Sequence, residues 1–238
     1  MTAAITRKTE IPPQHGSSGE LTRLMLDAEG AGGHLVRRLV DVAADAAFAG
    51  TAGPGGELWF VIAGSGELEE NGSQAGRVGL RTGLLLPAGT GYRLRPAGRE
   101  PVQLDVVGLP GLFHAGAGPR GEPRVAQLAD CAVETTGDRR FRVLFGPGRG
   151  CEAATQFVGE IPPGRAPEHS HPYDEVVLVL AGQGVVHLGT DEQPLAAGSC
   201  VHLPPGQPHC LENTGAQTLV VLGVFHPGGS PARKQTES

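Results

Sequence analysis

The stretch "PEHSHPYDEVVLVLAGQG", residues 167–184, decides how this chain is read. Two histidines, His169 and His171, stand one residue apart, and Glu175 follows four residues after the second. An apolar run of Val and Leu then leads into a turn at Gly182 and Gly184. In a β-strand residues i and i+2 share a face, so His169 and His171 point to one side. Glu175 has the same parity and opens the next strand, beyond the turn-like Pro172-Tyr173-Asp174. A sheet collects metal ligands in this way, with two on one strand and another on the strand beside it.

A fourth ligand candidate lies in "GSCVHLPPGQPHCLEN", residues 198–213. It reads as a strand, a Pro-Pro-Gly corner, and His209 at the start of the following strand. Proline and glycine fix a sharp turn, and a fixed turn holds a side chain in place.

The segment around Glu175 occurs twice. "ELWFVIAGSGEL" at 57–68 matches "EVVLVLAGQGVV" at 175–186, and "LLLPAGTGY" at 84–92 matches "VHLPPGQPH" at 201–209. The offset is 118 in the first pair and 117 in the second, a single-residue loop difference. The chain therefore divides into a loose N-terminal tail (1–20), a first unit (21–130) and a second unit (131–238). The 38 glycines and 20 prolines punctuate many short strands and disfavour long helices. Each unit is then an all-β barrel or sandwich. The segment 34–48 is ambiguous, with a strand-like first half and an Ala-rich second half that could form a helical turn.

These two segments resemble the two sequence motifs of the cupin superfamily. Gly-x5-His-x-His-x3-4-Glu-x6-Gly is met by His169, His171, Glu175 and Gly182, with Gly164 one residue too close. The second motif is met throughout by Gly198, Pro204, Gly206, His209 and Asn213. The resemblance implies two tandem double-stranded β-helix (jelly-roll) barrels. It also implies one divalent metal ion per chain, held by His169, His171, Glu175 and His209 in the second barrel. Subtracting the offsets places Thr51, Gly53 and Tyr92 at the histidine positions of the first barrel. Only Glu57 survives there, so that barrel is read as structural.

Three imidazoles and a carboxylate leave an octahedral ion open positions suited to Fe2+, Mn2+, Ni2+ or Co2+; Zn2+ fits a contracted shell. Fe2+ is favoured, because cupin dioxygenases set substrate and O2 side by side on such an ion. The expected activity is that of an oxygenase acting on a chelating or anionic metabolite. A non-redox isomerase, cyclase, lyase or hydrolase is the alternative, and a metabolite-binding sensor the third reading. His202 is placed in the substrate pocket, and one of the neighbours Gln156 and Phe157 faces inward beside it. Cys210 faces away from the cavity, while His187 and His226 are structural. His15, His34 and His114 have no partner in sequence.

The net charge of −6 and the lack of a basic cluster disfavour nucleic acid and anionic membranes as partners. The partner expected is a small molecule, and the protein a monomer or homodimer. No segment approaches the length of an apolar membrane span. Four scattered cysteines without CxxC spacing read as buried thiols in a reducing, cytoplasmic setting.

Overall fold

The computed structural model describes residues 4–27, 35–110 and 124–232. The chain separates into two compact units, residues 10–130 and residues 1–9 with 131–238. Each unit contains a seven-stranded and a four-stranded sheet, all strands within them pairing antiparallel. The only helical element among the described residues is a short 3-10 turn at Leu128–Asp130. No helix among them is long and apolar enough to cross a membrane.

In the second unit the large sheet runs Ala4–Arg7, Ser199–Leu203, Asp174–Ala181, Leu219–His226, Thr155–Ile161, Arg139–Phe145 and Glu134–Thr136. The small sheet runs Gly164–Arg165, Cys210–Asn213, Gln183–Leu188 and Asp191–Ala196. Val177, Val179, Val186, Val201, Leu203 and Val221 pack into one core cluster. In the large sheet these are odd-numbered positions, the parity of Glu175, so the barrel interior is read directly from the strand alternation.

The first unit repeats this order strand by strand. Its large sheet runs Val125–Gln127, Thr82–Leu86, Glu57–Ala63, Val102–Gly108, Val36–Val42, Leu21–Leu26 and Gln14–His15. Its small sheet runs Phe48–Thr51, Gly91–Pro96, Ser65–Glu70 and Ser73–Gly79. The ambiguous segment resolves into strand Val36–Val42, a turn closed by Ala46 N–H on Ala43 O (3.0 Å), and strand Phe48–Thr51. The Ala-rich half has no helical turn. His34 and His114 lie outside the described residues.

The N-terminal segment differs from the expected loose tail. Ala4–Arg7 pairs with Ser199–Leu203, setting Ile5 opposite Val201 and against the second core. Arg7 Nη2 also donates to Pro194 O at 3.3 Å. Gln14–His15 pairs with Leu21 and Thr22 in the first unit. The physical reason is the exposed sheet edge, whose free N–H and C=O groups are satisfied by an added strand. Val125–Gln127 covers the corresponding edge of the first unit by pairing with Thr82–Leu84.

Candidate metal centre

The corner Pro204–Gln207 and the segment carrying His169 and His171 are laced together by the backbone. His169 N–H donates to His209 O (3.0 Å) and His209 N–H to His169 O (2.9 Å). Gly206, with φ of 76°, turns its N–H onto His171 O at 2.8 Å. That left-handed conformation suits glycine and strains other residues. Glu175 enters from the large sheet, opposite Leu203 on one side and Phe225 on the other.

Each of the three imidazoles has its Nδ1 against a backbone carbonyl: His169 on Pro167 O (3.1 Å), His171 on Tyr173 O (2.8 Å) and His209 on Gln207 O (2.8 Å). A carbonyl only accepts, so each Nδ1 carries the proton and each neutral ring presents the Nε2 lone pair. This is the tautomer a metal ligand needs.

The ligand atoms of His171, Glu175 and His209 lie within 4.8 Å of one another, and all three residues are buried. His171 Nε2 is 2.8 Å from Glu175 Oε2, yet that nitrogen is buried without a hydrogen-bond partner, the alignment being wrong for one. The three ligand atoms are close enough together to share one ion. The donor set therefore fits a divalent metal ion, for which two imidazoles and a carboxylate are suitable first ligands. His169 stands outside this trio, exposed at the rim, with its ring centroid 4.5 Å from that of His209 and 6.4 Å from that of His171.

Without an ion the two buried imidazoles behave oppositely. Burial lowers the pKa of His209 to about 4. Burial acts in the same sense on His171, but the Glu175 carboxylate outweighs it and the net shift is upward.

A cavity of about 100 Å3 opens beside the trio. Phe157, Ile161, Val177, Val221 and Phe225 form much of its wall, with Glu175, His209 and His169 on one side. Of the neighbours Gln156 and Phe157, it is Phe157 that lines the cavity. Its ring covers Gly223, where an added Cβ would lie 2.3 Å from Phe157 Cε1. Gln156, buried on the opposite face of its strand, is not among the lining residues.

His202 is likewise corrected. It pairs opposite Val176, on the face of the sheet away from Glu175, and its Nε2 lies 2.6 Å from Asp174 Oδ1. Both members of that pair are buried. Strand alternation settles the facing once the partner strand is known, but the sequence alone supplies no partner.

Tyr173, Phe225 and Arg139 are among the cavity residues that escaped the sequence reading. Tyr173 stacks on the His171 ring (centroids 4.1 Å apart, 7° between planes) and on Phe225 (4.3 Å, 22°). It shares the parity of His171 and Glu175, a signal that was available. Phe225 and Arg139 also line the cavity, on strands whose inward faces the sequence left open. Cys210 is buried and accepts a hydrogen bond from Arg165 Nε at 3.3 Å; all four cysteines are buried thiols outside any disulfide. His187 is buried between Glu192 (2.9 Å) and Glu212 (2.7 Å), and His226 Nδ1 meets Ala153 O at 2.8 Å.

The equivalent place in the first barrel is filled. Glu57 accepts from Arg38 Nη2 (2.8 Å) and from Trp59 Nε1 (2.7 Å). Phe48, Trp59 and Tyr92 form an aromatic cluster with centroids 4.7–5.2 Å apart. Strand pairing sets Gly50 opposite Tyr92, as it sets His169 opposite His209. Gly50 and Ala52, one residue before Thr51 and Gly53, are therefore the counterparts of His169 and His171. A one-residue loop difference ahead of Glu57 produces the shift.

Residues 157–225 match the cupin domain family (Cupin_2). Auxin-binding protein 1 of Arabidopsis thaliana is 34% identical over 73 residues, which is 27% of this chain and 37% of the plant protein. A serine-to-alanine variant of Bacillus subtilis oxalate decarboxylase superposes with a TM-score of 0.78 at 13% identity, over 96% of this chain and 78% of the enzyme chain. A structure addressing the substrate binding mode of an oxalate decarboxylase gives 0.77 at 14% identity, over 97% and 78%. Residues 157–225, in the second barrel, thus match a cupin domain, and the whole chain has the two-barrel fold of these decarboxylase structures.

Proposed function

We propose that the second barrel is a metal-dependent active site for a small anionic metabolite and that the reaction is an oxygenation. In this reading His171, Glu175 and His209 hold one divalent ion, and His169 completes the set from the rim. The observation that carries it is the convergence of fixed Nε2 lone pairs with Glu175 on a cavity whose wall is largely apolar. The ion supplies Lewis acidity and, as the favoured Fe2+, one-electron chemistry with dioxygen. The chain supplies the rest. The carbonyls of Pro167, Tyr173 and Gln207 fix the imidazole tautomers, and Phe157, Val221 and Phe225 exclude water from the reacting groups. The protein is taken to work in the cytoplasm, as a monomer or homodimer, with neither nucleic acid nor a membrane as partner.

The test is elemental analysis of protein purified without added metal, followed by oxygen-electrode assays on small keto acids, enediols and carboxylates. Iron with substrate-dependent O2 uptake supports the reading. Bound zinc, with no O2 uptake from any compound, rules the oxygenase out.

A second reading, non-redox turnover on Mn2+ or another divalent ion, is favoured by Tyr173. This phenol lines the cavity, and burial, then Glu175, raise its pKa, so it holds its proton for donation. The oxalate decarboxylase of the same fold is described as having Mn(II) centres. Under this reading Tyr173→Phe lowers turnover at unchanged metal content; an unimpaired variant removes its support.

A further inference from the structure

We propose that Arg139 is the anion anchor of the cavity, which makes the substrates small carboxylates with an apolar body; this deepens the reading of the second barrel as the active site. Arg139 opens the strand Arg139–Phe145, and both Arg139 and Phe141 line the cavity. The alternate residues Arg140 and Arg142 lie 3.6 and 3.2 Å from Glu160 across the strand pair. Arg139 differs from both in its charge pairing: none of the ion pairs among the described residues involves it, while its Nε, like that of Arg142, is buried without a hydrogen-bond partner.

A guanidinium N–H withdrawn from water and left unsatisfied is unfavourable, and a carboxylate satisfies it with a planar, two-pronged match. The charges on the opposite side give the same answer. A divalent ion on two imidazoles and Glu175 keeps net positive charge, and the other charged lining residues, Arg140 and Glu160, pair with each other at 3.6 Å, so the ion and Arg139 leave the cavity net positive. An anion between them is attracted by both. The remaining wall, with Phe157, Ile161, Val221 and Phe225, suits an apolar or aromatic body.

The probes are benzoate and its neutral isostere benzamide, titrated calorimetrically into the full chain, metal-loaded and after chelation. The expected result is that benzoate binds about tenfold or more tightly than benzamide, in line with a charge-assisted hydrogen bond. Arg139→Met abolishes that preference at unchanged metal content and circular dichroism, and Arg139→Lys keeps part of it. Arg142→Met, which removes the same charge from the Glu160 pair, leaves it intact. Anchor and metal separate in the chelated protein. An Arg139-dependent preference that persists without metal supports the anchor even if the oxygenase reading fails. The proposal is overturned if neither compound binds, if Arg139→Met retains the preference, or if Arg142→Met loses it equally.

Discussion

The two barrels put one carboxylate in the same place and surround it with opposite chemistry. Glu175 meets two buried imidazoles, of which His171 has an Nε2 without a hydrogen-bond partner, beside an open cavity. Glu57 meets the guanidinium of Arg38 and the indole N–H of Trp59, both of which donate to it. Strand pairing makes Arg38 the counterpart of Phe157: Arg38 lies opposite Val106 and Phe157 opposite Gly223, at matching places on the paired strands. The arginine supplies internally the positive charge that the second barrel leaves for an ion. One scaffold thus neutralises a buried carboxylate in two ways, and only one of them leaves coordination sites open.

The largest effect that would sharpen this contrast is on metal content. Replacing His171, Glu175 or His209 by Ala is expected to reduce bound metal from about one ion per chain to less than a tenth of that, with the barrel still folded. His169→Ala, at the rim, is expected to weaken binding about tenfold or more and so needs a competing chelator to be seen. Elemental analysis beside circular dichroism reads both. Stoichiometric metal in the His209 variant would break the comparison at its root.

The next effect is on acid stability of the metal-free protein. Burial holds His209 near a pKa of about 4, against an ordinary 6.5. Between those values the unfolded chain binds a proton that the folded chain refuses, so stability rises with pH there. The contribution is complete above about pH 6.5 and is lost as pH falls towards 4, at most about 3 kcal/mol. His171 runs the other way: its pKa is raised, so its contribution is present at low pH and lost as pH rises through the folded value. The difference between wild type and His209→Gln isolates the first contribution. Urea unfolding of chelated protein at pH 7.5 and 4.5 should show a smaller pH effect in the variant. Equal pH effects would show that His209 is not held neutral by its surroundings.

How far these contrasts were legible in the sequence depends on the reach of each signal. A short spacing brings His171 and Glu175 together, whereas His209, 38 residues after His171, was placed with them by the resemblance of its Pro-Pro-Gly corner to the second motif. The repeat exposed the two barrels because the glycines and apolar strand residues survive in both. Facing on the remaining strands was not legible. Parity is relative, and only a partner strand tells which of Gln156 and Phe157 looks inward, or that His202 turns away to Asp174. The strand Ala4–Arg7 was invisible for a related reason, since its partner Ser199–Leu203 lies at the far end of the chain. Counting offsets also failed by one residue at Gly50 and Ala52, because a loop absorbs the difference and only the ladder reveals it.

A smaller effect probes the internal charge of the first barrel. The Arg38 side chain is 28% exposed and that of Glu57 5%. Removing the arginine leaves a largely buried carboxylate with only the indole as donor. Arg38→Met is expected to cost about 2 kcal/mol, below the usual range for a broken buried pair because water reaches the arginine. Metal content should stay unchanged. Chemical denaturation gives the first number and elemental analysis the second; full stability in the variant would mean that Arg38 is not what neutralises Glu57.

The smallest effect comes from putting an imidazole back into the first barrel. Tyr92 is the counterpart of His209, and an added Cβ on Gly50 would lie 2.8 Å from the Tyr92 hydroxyl, so the phenol occupies the space of an absent ligand. Its pKa is raised to about 12, first by burial and then by Glu57, so it stays neutral and offers no charge to a cation. Tyr92→His restores one donor but leaves Gly50 and Ala52 without imidazoles and Arg38 on the carboxylate. A single new imidazole facing a guanidinium cannot assemble a site, because the cation it would recruit is repelled by the one already there. The expected outcome is no change in metal stoichiometry and a loss of about 1 kcal/mol from the thinner aromatic cluster. A second equivalent of metal in the Tyr92 variant would show that Arg38 yields Glu57 to an ion. The difference between the barrels would then rest on the histidines alone.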